Sequence, residues 1–144
     1  MTVSRYSDYV ISDLIIPDEK KSIASDYNKY ARRILWMDEH VVPGAFHMNT
    51  AWYLKEAQTL ENVPHTHDVD EIIGFFGNNS DNPWDLGGEI EIWLDDEQHI
   101  ITRSVMLFVP AGLKHCPLIL RRVEKPIFHF TTVPGKQYLK DEKQ

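Results

Sequence analysis

Turn-forming residues interrupt this chain at short intervals, and that spacing limits its fold more than any other feature of the sequence. Pro17-Asp18, Pro43-Gly44, Gly74, the run from Gly77 to Pro83, Gly87-Gly88, Asp95-Asp96, Pro110-Ala111-Gly112, Pro117, Lys125-Pro126 and Pro134-Gly135 suit short strands better than long helices. Residues 33–37, 46–54, 71–76, 89–94, 99–102, 105–109, 118–122 and 127–133 carry the β-branched and aromatic content of such strands. Eight short strands predict an all-β sandwich or barrel. Alternation is clearest in 89–94, where Ile90, Ile92 and Leu94 share one face and Glu89, Glu91 and Trp93 the other, giving a core face and a wetter face. One helix is predicted over 18–30, where Ile23, Tyr27 and Tyr30 recur at helical spacing behind Pro17 and an acidic first turn. The polar, tyrosine-rich beginning is expected to form an N-terminal arm, residues 1–39, packed on a domain built by 40–144 or on a partner subunit. The charged tail, 140–144, is expected to fray.

The 144 residues suit one hydrophobic core, and 42% apolar with 26% charged residues is enough to bury it. Fifteen Lys and Arg against 22 Asp and Glu give a net charge of −7, the wrong sign for binding nucleic acid or anionic lipid. No apolar run approaches the ~18 residues of a spanning helix, and the first ten residues lack the pattern of a signal peptide. A cytoplasmic location is expected. Asn78-Asn79-Ser80 is accordingly read as a turn and not as a glycosylation site. Cys116 is the single cysteine, so no internal disulfide can form and any metal must be held by histidines and carboxylates.

The chemistry concentrates in Pro64-His65-Thr66-His67-Asp68-Val69-Asp70-Glu71. On an extended chain His65, His67 and Glu71 share one parity and can converge, while Asp68 and Asp70 face away. A fourth ligand type, His115, follows the turn Pro110-Ala111-Gly112 at the end of an apolar strand. The pairing of His65, His67 and Glu71 with Pro110, Gly112 and His115 resembles the two motif cores of the cupin superfamily, in the family's order. The flanks depart from the pattern: Thr59 and Asn78 stand where glycines are usual, Ser104 replaces the second motif's upstream glycine, and Ile119 its downstream asparagine. These departures touch edge turns and leave the ligand positions intact. The resemblance spans residues 40–133.

It implies a double-stranded β-helix, or jelly-roll barrel, in which His65, His67, Glu71 and His115 hold one divalent metal ion. Three imidazoles and a carboxylate suit Fe, Mn, Ni, Zn or Cu better than Ca or Mg. The implied activity is that of a metal-dependent enzyme, oxygenase or Lewis-acid isomerase/lyase, on a small oxygen-bearing organic molecule. A non-catalytic metal- or small-molecule-binding module is the alternative. A homodimer is expected, since barrels of this family commonly pair.

Further candidates stand on parity alone. In Phe128-His129-Phe130 either the histidine or both phenylalanines point inward, and the phenylalanines are the better core formers. In 46–53 either Phe46, Met48 and Trp52 or His47, Asn49 and Tyr53 line the interior. Tyr53, His129 and His47 are therefore the candidate catalytic residues; the plainer reading of Tyr53 is packing with a wet hydroxyl. Cys116 has parity opposite to His115 and is expected to point away as a packed thiol. Arg121-Arg122 reads as a salt-bridged surface, and His40 and His99 as solvated. The loop 78–86, carrying Trp84, reads as a hairpin connection or, less simply, as a lid.

Overall fold

A computed structural model describes residues 5–21, 23–61, 63–135 and 141–142. Eleven strands follow one another: β1 (Ala31–Met37), β2 (His47–Tyr53), β3 (Ala57–Glu61), β4 (His65–Thr66), β5 (Glu71–Phe76), β6 (Asp85–Leu94), β7 (Glu97–Arg103), β8 (Val105–Val109), β9 (His115–Val123), β10 (Ile127–Val133) and β11 (Asp141–Glu142). They form two antiparallel sheets. The first has the order β1-β2-β10-β5-β8 and the second β11-β4-β9-β6-β7, with β3 sharing with β4 one edge of β9. From β2 onward the chain passes back and forth between the sheets, and β9 and β10 each slot between two earlier strands. That winding is a double-stranded β-helix, as the motifs imply.

The sheets face each other over one apolar cluster that takes Tyr53, Phe75, Leu107 and Ile127 from the first and Leu86, Ile90, Ile92, Leu118 and Leu120 from the second. Each such side chain, fully buried, contributes about 1.5–3 kcal/mol. In the first sheet the ladders align rungs across four strands. Asn49, Thr131, Ile73 and Leu107 make one inner rung, and Ala51, His129, Phe75 and Val105 the next. The outer rungs are Met48, Thr132, Ile72 and Phe108, then Thr50, Phe130, Gly74 and Met106. A Cβ on Gly74 would lie 2.3 Å from the Phe130 ring, so only glycine lets that ring lie flat across β5.

Three expectations are corrected here, and the parity left open at 46–53 is decided. The single helix over 18–30 is two one-turn helices, α1 (Asp18–Lys21) and α2 (Ala24–Tyr27); β-branched Ile23 precedes the second with no side-chain cap. Loop 78–86 is no hairpin: it carries the chain from β5 in one sheet to β6 in the other. Ser104 pins it, accepting from the Gly77 N–H at 3.0 Å and donating to the Pro83 carbonyl at 2.6 Å. The inward parity at β2 belongs to His47, Asn49, Ala51 and Tyr53, leaving Met48 exposed and Trp52 half-buried. At β10 it belongs to His129, with Phe128 and Phe130 outside, the reverse of the better-core-former argument. Of the tail, only Asp141 and Glu142 lie within the described residues, and they pair with Thr66 and His65.

The end of the expected arm is part of the sandwich: β1 is the edge strand of the first sheet, paired with β2. Tyr27 and Tyr30 pack against the core cluster, and the Tyr30 carbonyl accepts from the Leu54 N–H at 2.7 Å.

Candidate metal centre and its cavity

The two motifs meet through backbone pairing. His65 on β4 stands directly opposite His115 on β9, with ring centroids 4.3 Å apart. His67 follows β4, and its carbonyl accepts from the Gly112 N–H at 2.9 Å, tying it to the Pro-x-Gly turn. Gly112 takes φ +86°, a conformation that favours glycine and turns the chain into β9. Asp70 faces away from the histidines as parity predicts, but its carboxylate accepts from the Ala111 N–H at 2.9 Å and so laces one motif to the other.

The ligand atoms of His65, His67 and His115 lie within 4.8 Å of one another, and all three residues are buried. Glu71 is 1% exposed, with Oε1 at 3.2 Å from His115 Nε2 and 3.4 Å from His67 Nε2. Burial pushes the Glu71 carboxyl up, while protonated His115 and His67 rings donating to it hold it down at about 2; with neutral rings that pull is lost and a cation has to supply it.

Proton positions sharpen the picture. His65 Nδ1 lies 2.8 Å from the Val63 carbonyl and His115 Nδ1 3.1 Å from the Leu113 carbonyl. A carbonyl only accepts, so both protons sit on Nδ1 and the Nε2 atoms carry lone pairs. Among the described residues, neither Glu71 oxygen nor His115 Nε2 makes a hydrogen bond of sound geometry. Ionised, the carboxylate faces imidazole lone pairs in a buried place, an arrangement that costs energy until a cation stands between them. Ligand atoms at about 2.1 Å from one ion stand about 3.0 Å apart at 90° and about 4.2 Å apart at 180°; the 3.2 and 3.4 Å separations of Glu71 from His115 and His67 fall in that range, and the histidine ligand atoms, within 4.8 Å, need to close by only about half an ångström.

A cavity of about 120 Å³ opens over this cluster, lined among others by Glu71, His65, His115, Tyr53, His129, Arg33 and Lys20. His129 donates from Nδ1 to the Gly74 carbonyl at 3.0 Å and packs against both Tyr53 (4.8 Å) and Phe75 (5.2 Å), which also touch each other. Burial lowers its pKa to about 4, so it is neutral. His47 is buried too, its pKa lowered to about 4 by burial, but it lies against Trp36 at 4.6 Å, donates to the Met37 carbonyl, and is not among the cavity's lining. Tyr53 is 1% exposed, packed rather than wet at a sheet edge.

Cys116 departs from its expected parity. It takes φ +78°, which breaks the strand's alternation, so it and His115 line the cavity together. Arg121 pairs with Glu91, which also accepts from Trp93 Nε1, and Arg122 pairs with Glu124, as a salt-bridged surface requires. Arg33 and Lys20 were given no role from sequence. The legible signal for Arg33 is its parity with Ala31, which is fully buried on the same strand.

Crossed winding, the pairing of His65 with His115 and the Pro-x-Gly turn between β8 and β9 together decide the architecture. The fold is the double-stranded β-helix found in cupins. No protein-family profile matches the sequence, and no curated protein does. Solved structures with a similar course of chain include a DMSP lyase (13% identity, TM-score 0.45, covering 70% of this chain and 45% of that one). An RmlC-like cupin from Shewanella frigidimarina is 16% identical, at TM-score 0.42 over 64% of this chain and 68% of that one. A double-stranded β-helix protein from Klebsiella pneumoniae is 10% identical, at TM-score 0.49 over 83% and 93%. This chain spans less than half the length of the DMSP lyase. These likenesses concern the course of the chain only; the fold assignment stands on the winding and the motif pairing. Among the described residues no helix is long and apolar enough to cross a membrane.

Proposed function

We propose that this chain is a cupin, a metal-dependent enzyme in which His65, His67, Glu71 and His115 bind one divalent ion and a small oxygen-bearing organic molecule is the substrate. The observation that carries the reading is the Glu71 carboxylate, buried with no hydrogen bond among the described residues and with Oε1 3.2 Å from His115 Nε2. Three imidazoles and one carboxylate suit Fe, Mn, Ni, Zn or Cu. Bound there, the ion supplies Lewis acidity or a place for dioxygen at positions the four side chains leave open. The chain's own residues do the rest: the Val63 and Leu113 carbonyls fix the ring orientation of His65 and His115, and Tyr53 and Phe75 hold His129 flat in the cavity wall. His129, neutral and with its proton committed to Gly74, presents Nε2 as a proton acceptor.

Elemental analysis of protein purified without chelator or nickel resin tests this. One ion per chain is expected, iron pointing to oxygen chemistry and zinc or manganese to Lewis-acid chemistry. Full metal content in a His65→Ala/His115→Ala double variant would overturn the assignment.

The partner we propose for the outer face of the first sheet is a second copy of this chain. Met48, Ile72, Met106 and Phe108 are exposed there, and the outward positions of β2, β10, β5 and β8 carry no charge. Two chains of net charge −7 repel least through a face whose four central strands carry none of it, the one charge beside them being Arg32 on the edge strand β1.

A further inference from the structure

The cavity carries more positive charge than its metal ligands account for. Arg33, half-buried on β1, lines it together with Lys20 of α1, and Glu71 is the one acid in the lining. Among the described residues no carboxylate pairs with Arg33. Its Nη1 donates to Asn49 Oδ1 at 3.1 Å, and its guanidinium carbon lies 4.2 Å from the Tyr27 ring centroid and 5.5 Å from that of Trp36. Stacking and one hydrogen bond hold the guanidinium in place, and the remaining N–H groups of its five are left for something else. Arg33 is thus a half-buried cation with no carboxylate partner among the described residues, inside a molecule that is acidic overall. A half-buried guanidinium so placed suits an anion.

We propose that the cavity takes a small carboxylate, with the ligand's carboxyl group seated on the Arg33 fork and Lys20 adding charge at the mouth. At about 10–15 Å³ per water-sized group, the 120 Å³ available holds roughly ten non-hydrogen atoms. The substrate class of the proposed enzyme is thereby narrowed to mono- or dicarboxylates, with an oxygen function at the end facing the histidines. This rests on the metal reading for the histidine end only. The carboxylate end stands on Arg33. If Arg33 served only to glue α2 to β1 through Tyr27, its loss would lower stability without changing which ligands bind.

Calorimetric titration separates these cases. Acetate, glycolate, succinate and benzoate, each beside its amide, are titrated into the whole protein, metal-loaded and chelator-treated, with elemental analysis of every sample. At least one carboxylate is expected to bind more tightly than its amide. Arg33→Gln is expected to weaken it by about ten- to a hundredfold, with Arg33→Lys in between. If Arg33→Gln fails to fold, Arg33→Lys alone carries the comparison. The proposal is overturned if no carboxylate outbinds its amide, or if the variants bind the carboxylate as the unaltered protein does. Arg33-dependent binding in a protein that takes up no metal would sink the metal reading and leave this one standing; stoichiometric metal with Arg33-independent binding would do the opposite.

Discussion

At the scale of single residues, burial of neutral histidines sets the acid response. His129 holds a pKa of about 4 where the unfolded chain has about 6.5. Between those values the unfolded chain takes up a proton that the folded one refuses, so this contribution is complete above pH 6.5 and is lost as pH falls towards 4. From pH 7 to pH 5 it amounts to about 2 kcal/mol. His129→Asn keeps a donor for the Gly74 carbonyl and removes the titration, so urea unfolding in chelator should show a pH dependence shallower by that amount. Equal slopes in the two proteins would count against the buried neutral state. His47 adds a second contribution of the same sign, which the variant leaves in place.

Among elements, the decisive join is between the loop after β4 and the turn before β9. Asp70 makes it with a hydrogen bond to Ala111, beside the one from the Gly112 N–H to the His67 carbonyl. Asp70→Ala is expected to cost about 1 kcal/mol in urea denaturation and to weaken cobalt binding about tenfold, whereas Asp68→Ala should change neither. Indistinguishable cobalt affinities in the two variants would remove this role for Asp70. The sequence states the join only in part. Strands 71–76, 105–109 and 127–133 were legible to the residue because β-branched and aromatic runs end at unambiguous turns. Strands β3 and β4 were not, being short, polar and defined by the edge of β9 they lie along. The ligand set was legible in motif spacing. Cys116 misled because nothing in Lys114-His115-Cys116-Pro117 signals a left-handed residue without glycine. Arg33 went unread because the strand content visible in the sequence begins at residue 33, which leaves out the buried Ala31 whose parity it shares.

On the scale of the whole molecule, ion and partner both leave measurable marks. Removing a metal held at a hundred times its dissociation constant takes away about 2.7 kcal/mol, which should lower the melting temperature by about 10 °C. A melting curve unmoved by chelator would say the cluster holds nothing. Light scattering should give twice the chain mass, falling to one chain in Met106→Lys/Phe108→Lys, since two ammonium groups on the apolar face oppose pairing without touching the core. A single-chain mass for the unaltered protein would leave that face unexplained. The interleaved strand order also bears on how the molecule comes into being. Because β10 lies between β2 and β5, and β9 between β4 and β6, neither sheet can close while the chain is still leaving the ribosome. His65, His67 and Glu71 emerge early and wait for His115, and the first sheet waits longer, for its middle strand. Nascent chains halted near residue 125 should therefore be protease-sensitive and blind to metal, and a chelator present during synthesis should matter only after β10 has been made.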